Sequence, residues 1–210
     1  MNQDSLLCDN DRALYAVADG IGGGLRGEVA SLMAVTGLGA HPTPEEGSSR
    51  LSDTFQTLQA AILKEALDSI GEALMGTTLT AVLLSGHRGE LCHVGDSRCY
   101  LYSKDCLQQL TEDHESFDET LQAPVLSSYL GIPSQVHPLT IQEDVITLHP
   151  GDRLLLCSDG LYKQVSEARI AEVIRAHAAQ PEEILRILST EAAKVEYSDN
   201  ITIVYIECLE

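Results

Sequence analysis

The sequence predicts an α+β protein in which two mainly antiparallel sheets pack on each other and helices cover their outer faces. Three observations carry this. The elements run strand, two helices, several strands, two helices, strand, without the alternation of a parallel βαβ sheet. From residue 77 to 105 the apolar pattern has period two or runs continuously, broken by short Gly, Asp and Ser turns, as in antiparallel meanders. Finally, 210 residues with 44% hydrophobic content suffice for one domain with a core between two sheets.

Residues 12–19, RALYAVAD, read as a strand that enters a glycine-rich loop. Residues 27–40 have helical spacing, with Val29, Leu32 and Met33 on one face. The polar, turn-rich stretch 41–50 links this helix to a long amphipathic one over 51–74, where Phe55, Leu58, Ile62, Leu63 and Leu67 recur at three- and four-residue steps. Strands follow over 77–86, 90–96 and 98–105, and the pattern continues through 136–148 and 152–160. Two helices are expected over 166–178 and 181–195. Ser166 is the N-cap of the first, but Arg169 stands where a capping box would have Glu or Gln. Residues 200–209 close the chain as a strand.

Charge narrows the function classes. With 32 acidic and 13 basic residues the formal charge is −19, a field that repels nucleic acid and anionic lipid and favours cations or basic partners. The six cysteines include no C-x-x-C pair, so neither a disulfide framework nor a zinc knuckle is expected. No stretch has the form of a signal peptide or approaches membrane-spanning length. A reduced, cytoplasmic protein without membrane contact is the expectation.

The stretch AVADGIGGGLRGE, residues 16–28, admits two readings. Gly22, Gly24 and Gly27 match the dinucleotide fingerprint G-x-G-x-x-G. Alternatively, Asp19 is a metal ligand and the glycines clear space around it. Asp4, Asp159 and Asp199 share its form, an Asp at a strand end or sharp turn beside Gly, Ser or Asn, and Asp96 in VGDSR is a fifth. Taken singly, each is a turn former. Gathered near 4 Å, carboxylates repel by roughly 4 kcal/mol per pair at an effective dielectric of about 20. Multivalent cations relieve that cost, and an oxygen-only donor set selects hard ions such as Mg2+ or Mn2+.

The motifs NQD, VADGIGG, GE-AS, GTT, VGDSR, LT-DH, LG, GD-LLLCSDGL and SDN-T occur in that order from residue 2 to 202. The set resembles the metal-dependent PP2C-type (PPM) protein serine/threonine phosphatases, especially the compact bacterial ones. The resemblance implies an α/β/β/α four-layer sandwich and hydrolysis of phosphoserine and phosphothreonine in proteins. It implies that Asp19 bridges two Mn2+ or Mg2+ ions and that the Gly20 carbonyl binds one of them. Asp159 and Asp199 would complete the shell of the other ion, and Asp4 would bind through ordered water. Asp96 and Asp159 match the acids that hold a third, weaker ion in many bacterial members, and Asn200 would orient its neighbour. A hydroxide between the ions would attack phosphorus in line, with no protein nucleophile. Cys157 is accordingly a core residue. Phosphoproteins are the implied partners, including Hanks-type kinases or their targets, and the chain is expected to be a monomer.

Three features depart from the family pattern. The family places a phosphate-binding Arg five residues before the NxD aspartate, which here lies upstream of Met1; Arg26 is the candidate substitute, a solvated loop residue its plainer alternative. DGIGG replaces the common DGMGG, and Gly24 stands where a His is often found, leaving the general acid unassigned. Only 16 residues separate His114 from Gly131, so the flap around 115–130 is expected to be shortened or missing. His93, His114 and His137 are expected to be structural. Two competing readings remain: a nucleotide-binding oxidoreductase, weakened by the missing βαβ alternation, and a catalytically silent PP2C-like domain that senses or binds a phosphoprotein.

Overall fold

The computed structural model describes residues 2–21, 26–42, 50–70, 75–194 and 199–209. The chain begins with β1 (Asp4–Asp9), β2 (Leu14–Ile21), α1 (Gly27–Gly39) and α2 (Leu51–Ile70). Its middle holds β3 (Gly76–Thr77), β4 (Leu79–Ser85), β5 (Arg88–Val94), β6 (Arg98–Ser103), β7 (Cys106–Gln109), β8 (Glu115–Asp118) and β9 (Ala123–Leu126). The last part carries β10 (Gln142–Thr147), β11 (Arg153–Cys157), α3 (Asp159–Tyr162), α4 (Glu167–Ala176), α5 (Pro181–Ala192) and β12 (Ile203–Glu207).

These strands build two antiparallel sheets. The first has the order β1-β2-β4-β5-β10, with β3 added to β2, and the second the order β12-β11-β6-β7. Strand alternation explains the layers, because successive side chains point to opposite faces. On β11, Leu154 and Leu156 enter the core between the sheets, while Leu155 and Cys157 face α4 and α5. On β2, Val17 joins the inter-sheet core, while Leu14, Ala16 and Ala18 pack beneath α1 and α2. The result is the expected α/β/β/α four-layer sandwich.

The antiparallel placement of β2 between β1 and β4 removes the dinucleotide reading, which needs a parallel strand–helix–strand unit. Gly22 and Gly24 lie outside the described residues. Gly27 has a packing reason instead. It begins α1 directly against Gly20, and a Cβ on Gly20 would lie 2.3 Å from the Gly27 carbonyl oxygen. Only glycine permits that approach.

Helix α1 differs from expectation in its buried face. Ala30, Ala34, Val35 and Leu38 are buried, whereas Leu32 is 58% exposed and Val29 and Met33 are only partly covered. Small residues face inward because α1 lies close over Ala16 and Ala18. On α2, Phe55, Leu58 and Ile62 are buried as expected, joined by Ala66, while Leu67 is exposed. Ser166 caps α4 by accepting a hydrogen bond from the Arg169 N–H. Besides the four-residue α3, three short elements escaped the sequence patterns. They are β1, the edge strand β7 after the Lys104–Asp105 turn with both φ positive, and the β8–β9 hairpin. That hairpin occupies the stretch assigned to the flap and pairs with neither sheet.

Candidate functional site

The acids of the motifs meet at one end of the sandwich, where the two sheets present their turns. Asp4 opens β1 directly opposite Asp19 in the β1–β2 register. Asp19 is fixed through its backbone, its N–H donating to Thr78 Oγ1 at 2.9 Å and its carbonyl accepting from the Thr77 hydroxyl at 2.9 Å. Asp96 lies in the turn that passes the chain from β5 in the first sheet to β6 in the second. Asp159 follows the end of β11 as the first residue of α3, and Asp199 precedes β12 at the exposed rim.

Hydroxyls from the second sheet hold the first-sheet acid. Ser158 donates to Asp4 Oδ2 at 2.8 Å and Thr202 to the same oxygen at 2.7 Å. Asn200 accepts the Gln3 N–H at 2.8 Å on its Oδ1, and its own N–H donates to Asp199 Oδ1 at 2.8 Å. Asn200 thus ties the start of the chain to the turn that carries Asp199. Gly160 permits this closure, since a Cβ there would lie 2.1 Å from the Asn200 carbonyl oxygen.

Electrostatics report the crowding. Burial first, then the charges of Asp4, Asp159, Asp96 and Asp199, push the Asp19 carboxyl up to about 9. Asp96 is pushed up to about 6, by burial and then by Asp159. Burial also raises Asp4, against the opposing hydrogen bonds from Thr202 and Ser158. Asp19 therefore sits within the field of the other four motif acids.

Divalent cations fit this donor set. Asp4 Oδ1 and Asp159 Oδ1 are buried without a hydrogen-bond partner. Such orphaned acceptors beside further carboxylates suit a hard, oxygen-seeking ion. Among the described residues, no three His, Cys, Asp or Glu side chains are already drawn together as a coordination group. Lys163 Nζ lies 2.6 Å from Asp159 Oδ2 and 3.7 Å from Asp96 Oδ2. Lys163 escaped the sequence reading, although its position four residues beyond Asp159 is the spacing of an ion pair on a helical turn. Ser158 and Thr202 escaped it too, as small polar residues beside motif acids.

The remaining candidates are placed as follows. Arg26 precedes α1 in a left-handed conformation, φ 65°, and its Nη1 pairs with Glu65 Oε1 at 3.2 Å. His93 is buried, with Nδ1 2.8 Å from Thr80 Oγ1 and Nε2 3.1 Å from the Glu112 carbonyl. His114 Nδ1 accepts the Gly95 N–H at 3.2 Å, and His137 is exposed after a turn that starts at Pro133. Cys157 is fully buried and its thiol pushed far up by burial, as a core residue and not a nucleophile.

Known proteins share this arrangement. The pattern that defines Protein phosphatase 2C matches residues 1–196. The serine/threonine phosphatase stp of Listeria innocua is 34% identical over 92% of this chain and 84% of its own length. The crystal structure of the Mycobacterium tuberculosis serine/threonine phosphatase PstP/Ppp superimposes with a TM-score of 0.85 at 31% identity, covering 100% of this chain and 93% of that one. A crystal structure of the PstP catalytic domain in complex with two manganese ions gives a TM-score of 0.82 at 31% identity, covering 100% of this chain and 93% of that one. Because sequence and backbone agree along nearly the whole length, the chain belongs to the protein phosphatase 2C family.

Proposed function

We infer that this protein is a metal-dependent phosphatase that removes phosphate from phosphoserine and phosphothreonine in proteins. Asp4, Asp19, the Gly20 carbonyl, Asp96, Asp159 and Asp199 would hold the Mn2+ or Mg2+ ions. The observation that carries the assignment is Asp4 directly opposite Asp19 on paired strands, with buried carboxylate oxygens of Asp4 and Asp159 that lack a hydrogen-bond partner. Bound there, divalent ions supply the Lewis acidity that activates water and neutralises charge on phosphoryl oxygens. The chain's own groups do the positioning. Ser158 and Thr202 hold one oxygen of Asp4 and leave the other uncommitted. Thr77 and Thr78 fix the Asp19 backbone from the side of the first sheet.

The silent phosphoprotein-binding reading gains no support from relatives that are named phosphatases. Phosphorylated proteins are the proposed substrates, a Hanks-type kinase or its targets among them, acted on by a monomer in the cytoplasm. No helix among the described residues is long and apolar enough to cross a membrane. Arg26 is proposed to meet the substrate phosphate after release from Glu65. Exposed pairs of this kind contribute about 1 kcal/mol or less, so release is cheap.

Hydrolysis of a phosphothreonine peptide with and without Mn2+ tests the reading. Turnover should require Mn2+ and vanish in Asp19→Ala; turnover retained by that variant refutes the assignment of Asp19. Arg26→Ala should raise KM for the peptide about tenfold with kcat little changed, as loss of a uniform binding contact does. An unchanged KM removes Arg26 from the substrate site.

A further inference from the structure

We propose that Lys163 is a built-in counter-ion of the site. Its ammonium holds the cation position between Asp96 and Asp159, so a divalent ion reaches that pair only by displacing it. The proposal rests on the acid cluster being a cation site, as inferred above.

The geometry is that of an occupied position. Lys163 Nζ is 2.6 Å from Asp159 Oδ2 and 3.7 Å from Asp96 Oδ2, and the two carboxylate side chains are only 15% and 9% exposed. The backbone that carries the lysine is fixed, although its side chain is half exposed. Its N–H donates to the Asp159 carbonyl at 3.0 Å. Its neighbour Tyr162 donates its hydroxyl to the Asp96 carbonyl at 3.0 Å, which pins the lysine's turn to the turn of Asp96. The Tyr162 ring lies under the Arg98 guanidinium at 3.6 Å, and Arg98 is itself held by Asp113 at 2.7 Å. Among the described residues, no other Lys or Arg forms an ion pair with Asp96 or Asp159. Glu115 and Asp113 add only negative charge on the Asp96 side.

One positive charge between two carboxylates offsets part of their repulsion and leaves the pair less attractive to an incoming dication. Among the described residues Asp4 and Asp19 have no such paired cation: hydroxyls hold the first and a backbone clamp the second. The weaker third position that the family resemblance implies at Asp96 and Asp159 is, in this chain, one that Lys163 must first leave.

Mn2+ binding to the full chain, followed by electron paramagnetic resonance of the free ion, tests this on wild type, Lys163→Gln and Lys163→Arg. Lys163→Gln should tighten the weakest Mn2+ about tenfold, a modest factor because the lysine is half exposed and screened. Lys163→Arg should keep the wild-type isotherm. Superimposable isotherms for wild type and Lys163→Gln overturn the counter-ion role while leaving the cation site intact. No Mn2+ binding in either chain overturns the cation reading itself. A measurement on the unaltered protein guards against misfolding of a variant. Mg2+ titration should shift the Lys163 side-chain resonance at the concentrations that fill the weakest site, and a resonance that never moves overturns the proposal.

Discussion

The two sheets contribute acids to the same site in different ways. Asp4 and Asp19 stand opposite each other on paired strands, and Gly20 beneath them is closed against Gly27 with no room for a methyl group. Asp159 and Asp199 stand on turns, one at the start of a four-residue helix and the other at an exposed rim. The first pair is set by strand register and cannot shift without slipping β1 along β2. The second pair is set by a few local bonds, of which the Lys163 contact is one. Strand pairing thus places two of the acids, and turns place the other two.

The sharpest way to break the rigid half is Asp19→Asn. Turnover should fall to background in a Mn2+-dependent phosphopeptide assay. The pH dependence of stability should change as well, with a sign that follows from proton linkage. The Asp19 carboxyl is raised from 3.8 to about 9, so the folded chain binds its proton more tightly than the unfolded chain does. The group's contribution is full below about pH 4 and is lost as the pH rises towards 9. Metal-free wild type should therefore melt at progressively lower temperature across that window, and Asp19→Asn should flatten the slope. Equal slopes in the two proteins would show that Asp19 is not crowded.

A second comparison sets glycine against glycine. Gly20→Ala places a methyl 2.3 Å from the Gly27 carbonyl oxygen and 2.7 Å from that of Gln3, all within strand and helix backbone. It should cost about 3 kcal/mol, the upper range for overpacking, seen in chemical denaturation. Gly160→Ala meets the Asn200 carbonyl oxygen at 2.1 Å in the turn that carries Asp199. It should cost less stability and appear mainly as weaker Mn2+ affinity. The smallest effect belongs to Thr202→Val, which removes one of two hydroxyls from Asp4 Oδ2. About 1.5 kcal/mol is expected, the lower end for a hydrogen bond to a charged group, with Ser158 still in place.

The sequence was legible where periodicity or chemistry is strong. The order of elements announced two antiparallel sheets with helices outside, and each motif acid reached the same end of the sandwich. It was less legible where small residues decide. Weighting large side chains placed Leu32 on the buried face of α1, yet close approach over Ala16 and Ala18 selects Ala30 and Ala34. β1 carries an Asp at each end and buries none of its residues fully, with Leu6 at 49% exposure, so its apolar pattern is weak. α3 spans four residues, too short to show helical periodicity, so the i,i+4 spacing of Asp159 and Lys163 had no recognised helix to sit on. Lys163's other partner, Asp96, lies 67 residues away along the chain.

The bonds that finish Asp4 have a consequence in time. Gln3 reaches Asn200 and Asp4 reaches Thr202 across separations of 197 and 198 residues. Contacts so distant along the chain form late, because the intervening loop must be closed by other structure first. As the chain leaves the ribosome, four of the five motif acids emerge before Asp199, with the hydroxyl of Thr202 still to come. A growing chain therefore carries most of the acids but cannot yet complete their shared pocket. The hydroxyl that finishes Asp4 is thus among the last groups of the chain to be made.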